Sequence, residues 1–263
     1  MQLDLNGRHA LVCGASQGIG HAAAVELARL GADVTLLARS AEALADAAAA
    51  LPRTHAAQRH GALAADMADA DALRERVGAL VAQRPVQILV NNSGGPPGGP
   101  AHLAEPDAYL AAFRQHLIGG QVLVQTLLPG MRAARYGRIV NVISTSVKEP
   151  IANLGVSNTV RAAVASWAKT LASELAAGGI TVNNVLPGFT RTQRLAGLIA
   201  ANAKSSGRSE DDIARGMLAL VPAGRFGEPE EVAAVIAFLC TPAAAYVDGV
   251  SIAVDGGRTR TLA

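Results

Sequence analysis

Short runs of β-branched and other apolar residues alternate along the chain with longer, alanine-rich segments whose apolar positions repeat at helical spacing. Residues 8–13, 33–38, 86–91, 138–143, 180–186 and 250–254 predict strands, with a weaker strand near 62–65. Residues 19–30, 41–51, 70–83, 107–134, 158–177 and 230–239 predict helices. Alternation of strand and helix at this spacing requires right-handed crossovers and a parallel sheet covered on both faces. The expected fold is therefore α/β: one Rossmann-like, doubly wound domain over residues 1–263, with helices on both sides of about seven parallel strands. Ligands of such a sheet bind beyond the carboxyl ends of its strands.

Two stretches interrupt the pattern. Gly94-Gly95-Pro96-Pro97-Gly98-Gly99-Pro100 follows the fourth strand and predicts a loop at the ligand edge, because proline removes donors and glycine costs entropy in regular structure. Residues 189–227 are polar with weak periodicity, and extra segments of that kind on this architecture commonly act as lids over a substrate. The segment carries Arg191, Arg194, Lys204, Arg208 and Arg215 beside Glu210, Asp211 and Asp212, a mixture that suits either an acidic carrier or water.

Composition narrows the function classes. A chain of 263 residues, half of them apolar, can bury a sizeable core. With 23 Lys and Arg against 21 Asp and Glu, and no block of like charge, a nucleic-acid surface is not expected. No basic segment leads into an apolar one at the N-terminus, and apolar stretches break before the roughly 18 residues of a membrane span, so a cytoplasmic protein without a membrane partner is expected. Cys13 and Cys240 are isolated thiols without metal-ligand spacing, and neither a disulfide nor a metal site is expected.

The first strand runs into Gly14-Ala15-Ser16-Gln17-Gly18-Ile19-Gly20, which opens the first helix. Glycines there permit a tight turn and close approach of backbone to a pyrophosphate, while the helix N-terminus offers free N–H groups and a positive dipole. A purely structural turn is the competing reading.

That spacing combines with Asn91-Asn92-Ser93-Gly94, Arg138-Ile139-Val140-Asn141, Ile180-Thr181-Val182-Asn183-Asn184-Val185-Leu186-Pro187-Gly188 and Val254-Asp255-Gly256-Gly257. In these motifs the chain resembles the short-chain dehydrogenase/reductase family almost end to end, nearest its 3-oxoacyl-carrier-protein-reductase-like branch. The resemblance implies a nicotinamide cofactor held by Gly14, Ser16, Gln17, Gly18, Ile19 and Gly20 at the pyrophosphate. It implies Asp66 with Met67 at the adenine, Asn92 with Ser93 and Gly94 at the adenine ribose region, and Pro187, Gly188 and Thr192 at the nicotinamide carboxamide. Asp66 could instead cap a turn ahead of the helix near Ala70. NAD enzymes place a carboxylate after the second strand, where this chain has Arg39. An arginine fork suits a 2′-phosphate, so NADP(H) is expected ahead of NAD(H), unless Arg39 is simply solvated.

The same resemblance implies a catalytic serine, then a tyrosine thirteen residues on and a lysine four beyond it. Read without gaps, these positions are Ser144, Ser157 and Arg161, while a relay asparagine on the central helix becomes His116. A seryl hydroxyl is far less acidic than a phenol, and arginine binds ribose or stabilises an anion but does not shuttle protons at neutral pH. His116 could supply the proton or could be a packing residue, and Lys148 is a more remote candidate donor. Two classes of function remain open. One is a carbonyl reductase of 3-oxoacyl-thioester type, acting on a small molecule or acyl thioester with a non-standard proton donor. The other is an NADP(H)-binding module without hydride transfer, a sensor or assembly partner, with a fold that binds no nucleotide as the bland third. The helices at 107–134 and 158–177 resemble those that pack across subunits in the family, which implies a homodimer or homotetramer.

Overall fold

Seven strands lie side by side in the computed structural model, which describes residues 1–262. They are β1 (His9–Cys13), β2 (Asp33–Ala38), β3 (His60–Ala64), β4 (Ile88–Asn91), β5 (Gly137–Val142), β6 (Ile180–Pro187) and β7 (Ser251–Val254). Their order is β3-β2-β1-β4-β5-β6-β7, with every neighbouring pair parallel. Connections turn one way after β1 and the other way from β4, so a crevice opens where the ends of β1 and β4 part.

Alternate residues of each strand serve opposite faces, as the two-residue period of a strand demands. Ala10 and Val12 of β1 pack with Ala23 and Leu27 of α1 (Gly18–Arg29) and Ile236 of α9 (Pro229–Leu239). Leu11 and Cys13 face the other way, toward Leu73 and Val77 of α3 (Ala70–Gln83), Leu123 and Leu127 of α5 (Gly119–Ala134) and Ala168 of α6 (Gly155–Leu175). Between β2 and β3 runs α2 (Ala41–Ala49), and α4 (Pro106–Phe113) precedes α5. No helix of the described residues is long and apolar enough to cross a membrane.

A row of polar side chains crosses this sheet in register. Asn91 pairs with Asn141, Asn141 with Asn184 and Asn184 with Ser251. The Nδ2 of each asparagine donates to the next residue's side-chain oxygen, at 2.9, 3.0 and 3.1 Å in turn. Buried amides are costly unless bonded, so a one-residue slip of any of these strands would leave amides unpaired and is disfavoured.

Three expectations need amending. The weak strand starts at His60 and ends at Ala64, two residues before its predicted start and one before its predicted end. The stretch 107–134 is not one uniform helix: Arg114–Ile118 is a π-helical turn between α4 and α5, and His116 within it is 7% exposed. Residues 189–227 hold two helices, α7 (Gln193–Ser206) and α8 (Glu210–Leu218). They bury only Leu195 and Ala203 between them, which leaves too thin an apolar stripe for a clear period.

Candidate active site

Five strands deliver the site residues to one edge. After β1 the chain turns through Gly14, and Gln17 leads into α1 with an extended backbone and no side-chain cap, so the first-turn N–H groups have no side-chain partner. Gly18, at φ +60°, takes a left-handed conformation that a side chain would strain. Gly14 and Gly20 are small because Asn92 is close: a Cβ on either would lie within 2.8 Å of its Nδ2. That amide donates to the Gly14 carbonyl at 3.2 Å and the Cys13 carbonyl at 3.4 Å, bracing the glycine turn from β4. Cys13 beneath it is fully buried, which pushes its thiol up to about 12 and leaves it inert.

Arg39 is the first residue beyond β2 and is exposed, without an ion pair or hydrogen bond among the described residues. Its neighbour Ser40 caps α2 by accepting from the Ala43 N–H at 3.3 Å. The uncapped α1, the close glycine turn and this free guanidinium fit a dinucleotide that carries an additional phosphate. Asp66 is exposed and accepts from the Ala68 N–H at 2.9 Å, so it closes its own turn, while Asp69 caps α3. Met67 is buried, and its carbonyl faces Gly119 where a Cβ would collide.

A cavity of about 550 Å³ runs along this edge from Gly14, Gln17, Gly18 and Ile19, past Asn92, Ser93 and Gly94, to Ser144, Ser157 and Arg161. Pro187, Gly188 and Thr192 close its far side. Ser16, Gly20, Arg39, Asp66, Met67, His116 and Lys148 are not in its wall. Thr192 is a helix cap, accepting from the Leu195 N–H at 3.3 Å. Gly188 is constrained by packing, since a Cβ there would come 2.5 Å from that of Asp255.

At the catalytic end, Ser144 follows β5, and its Oγ accepts from the Ser146 N–H at 3.1 Å while still facing the cavity. The helix α6 begins at Gly155, three residues ahead of its predicted start, so both Ser157 and Arg161 stand on it one turn apart. Arg161 is buried and donates to the Val142 carbonyl at 2.8 Å and the Ser93 carbonyl at 3.5 Å. Burial, then the nearby Arg194 charge, pulls it down to about 10, so it remains a cation at neutral pH.

His116 stands behind the cavity wall rather than in it. Its Nδ1 lies 2.7 Å from the Ser93 Oγ, one layer behind the cavity wall. Burial, then the Arg161 charge, pushes it down to about 3, so the ring is neutral at pH 7 and holds no imidazolium proton to give. Its Nε2, the Asn91 Oδ1 and the Arg161 Nε are buried without a protein partner, and all three residues line one void of about 10 Å³. Arg258 and Arg194 join the large cavity although no motif singles them out. Arg258 follows the closing Asp255-Gly256-Gly257, and only the fold shows that this tail returns to Thr145. Among the described residues, no group of three or more His, Cys, Asp or Glu side chains could hold a metal ion.

Known proteins share this architecture throughout. The sequence profile of a family described as enoyl-(acyl carrier protein) reductase matches residues 14–259. A 3-oxoacyl-[acyl-carrier-protein] reductase of Vibrio harveyi is 33% identical over 97% of this chain and 98% of its own. A cis-4-hydroxycyclohexanecarboxylate dehydrogenase of Sinomonas cyclohexanicum is 37% identical over 96% of each. The structure of L-sorbose reductase from Gluconobacter frateurii, complexed with NADPH and L-sorbose, superposes with a TM-score of 0.92 at 30% identity over all of both chains. On the glycine turn, the strand order and these full-length likenesses, the chain belongs to the short-chain dehydrogenase/reductase family.

Proposed function

We propose that this protein is an NADP(H)-dependent oxidoreductase that interconverts a carbonyl and a hydroxyl group on a small molecule or acyl thioester, with a non-standard proton donor. The observation that carries the reading is one continuous cavity joining the uncapped N-terminus of α1 to Ser144, Ser157 and Arg161. NADP(H) rather than NAD(H) is favoured by Arg39, free of any carboxylate at the end of β2, and by relatives of known structure that hold NADP or NADPH. When bound, the cofactor supplies hydride to the substrate carbon, and the substrate oxygen then takes up a proton. Ser144 and Ser157 donate hydrogen bonds to that oxygen, and the permanent charge of Arg161 steadies the negative charge it develops. The proton comes from solvent by way of the Ser157 hydroxyl, because His116 is neutral and Arg161 does not release one. The region 189–227, with residues 189–195 and Leu198 against the cavity, acts as the substrate lid.

Mixing the protein with NADPH and a panel of 3-oxoacyl thioesters and ketones tests the reading. Turnover above the enzyme-free rate is expected; none would sink it. The double change Ser157→Tyr with Arg161→Lys restores a phenol and an ammonium, and raises turnover by about 10²- to 10⁴-fold. A second reading, an NADP(H)-binding module without hydride transfer, is favoured by the cavity wall, which among the described residues holds no Asp, Glu, Tyr, Lys or His. Saturable quenching on NADPH titration without turnover on any substrate would select it. We further assign the protein to the cytoplasm and to a homodimer or homotetramer.

A further inference from the structure

The substrate end of the cavity is lined by arginines. Arg161, Arg191, Arg194 and Arg258 stand in its wall, and among the described residues no Asp or Glu does. Among the described residues Arg191 alone of the four is ion-paired, with Glu228 at 2.8 Å; Asp255 is near enough to Arg258 to feel its charge but turns its oxygens to the Gly257 and Thr259 N–H groups, at 3.0 and 2.7 Å. Arg194 is spent on a carbonyl, that of Pro96 at 2.7 Å, and burial lowers its pKa. Arg258 donates through Nη1 to the Thr145 Oγ1 at 3.0 Å and lies over the Phe189 ring at 4.9 Å, while its Nε is buried without a partner. Stacked and bonded in this way, its guanidinium is held in place without a carboxylate in direct contact. Uncompensated charge in a partly desolvated cleft is unfavourable until an anion enters.

The cofactor does not supply that anion. Under the reading above, its phosphates lie by the glycine turn and Arg39, at the β1 and β2 side of the sheet. Arg258 lies beyond β7 and reaches Thr145 beyond β5, two strands past β1, or about 10 Å at the usual strand spacing. The nicotinamide riboside that would extend this way is uncharged when reduced and positive when oxidised, so it leaves Arg258 without a counter-charge, whereas Arg194, against Gly95 and Pro96 beyond β4, stands on the cofactor's side.

We propose that the substrate is itself an anion, a carbonyl or hydroxyl compound bearing a carboxylate, with Arg258 as its anchor. This rests on the cofactor reading for which end of the cavity the substrate occupies. Arg258 adjoins Thr145, the residue after Ser144, so an anchored carboxylate leaves the reacting oxygen within one small molecule's length of the serines. Arg258 is on this account a specificity-determining residue and takes no part in proton transfer.

The test is a pair of titrations of NADPH-loaded protein, one with the oxo acid levulinate and one with its methyl ester, following cofactor fluorescence. The acid is expected to bind at least about tenfold more tightly than the ester, the range for a hydrogen bond to a charged group. In Arg258→Gln the preference falls to about twofold with NADPH affinity retained, whereas Arg208→Gln, on the surface outside the cavity, keeps it. Equal affinity for acid and ester, no binding of either, or a preference that survives in Arg258→Gln overturns the proposal. Should NADPH itself fail to bind, the cofactor reading falls instead, and the same acid and ester comparison on the free protein decides the role of Arg258.

Discussion

Arg161 and His116 are buried side by side, and the fixed charge of one helps keep the other neutral. His9 is a second such ring at the opposite end of the sheet, held at about 4 by burial and then by Arg84, with its Nε2 2.8 Å from the Thr35 Oγ1. In the unfolded chain both titrate near 6.5. Above that pH the rings are neutral in both states and add no pH dependence. Below it the unfolded state binds protons that the folded state refuses, so stability falls as pH falls from about 6.5 toward 4 for His9 and 3 for His116. Between pH 7 and pH 5 each histidine removes about 2 kcal/mol. The variant His116→Asn should therefore lose about 2 kcal/mol less over that interval than the parent, as read from urea unfolding at each pH. Equal losses would show that His116 titrates freely. At this scale the sequence was partly legible. The register from Asn141 selects Ser144, Ser157 and Arg161, and all three line one cavity, because two of them share a helix and the third follows a strand. The neutrality of His116 was not legible, since it arises from residues 45 positions away in the chain that close over the ring, and from a π turn that no periodicity announces.

Elements show the same division. Strands buried on both faces and alanine-rich helices between them are plain in the sequence, because burial forces the composition. Helices α7 and α8 are not plain, because their burial is slight and their ends are set by single hydroxyls. Ser209 accepts from the Asp212 N–H at 3.1 Å and donates to its carboxylate at 2.8 Å, a reciprocal cap readable in Ser209-Glu210-Asp211-Asp212 once a helix is suspected. The asparagine row belongs to four strands at once. Changing Asn141 to valine leaves the Asn91 Nδ2 and the Asn184 Oδ1 buried and unpaired. Each such group costs about 1–3 kcal/mol, so Asn141→Val should lose about 2–5 kcal/mol, seen as a lower urea midpoint at unchanged slope. A loss under about 1 kcal/mol would show that the row is incidental to register.

For the whole molecule, strand order decides which loops meet, and the order follows from general rules of crossover handedness. The glycine turn, Asn92, Ser144 and Pro187 come to one edge because each ends a parallel strand. Arg258 reaches the site from the tail beyond the last strand, a return that no local pattern dictates. Leu103, Leu110 and Ile118, at 70, 54 and 42% exposed, leave apolar surface on and beside α4 and the π turn. Apolar surface of this kind is typical of contact regions, and light scattering on the purified protein should return two or four times the mass of one chain. A single-chain mass would remove the assembly reading. The asparagine row also has a direction that reaches across the whole sheet. Every amide points its NH₂ toward β7 and its oxygen toward β4, so the four residues act as a string of aligned dipoles whose negative end, the Asn91 Oδ1, lines the same void as the Arg161 guanidinium. Ser251 accepts the last of these amide hydrogens, so its removal would leave the Asn184 Nδ2 short of a partner and loosen, from three strands away, the string that turns the Asn91 oxygen toward the Arg161 charge.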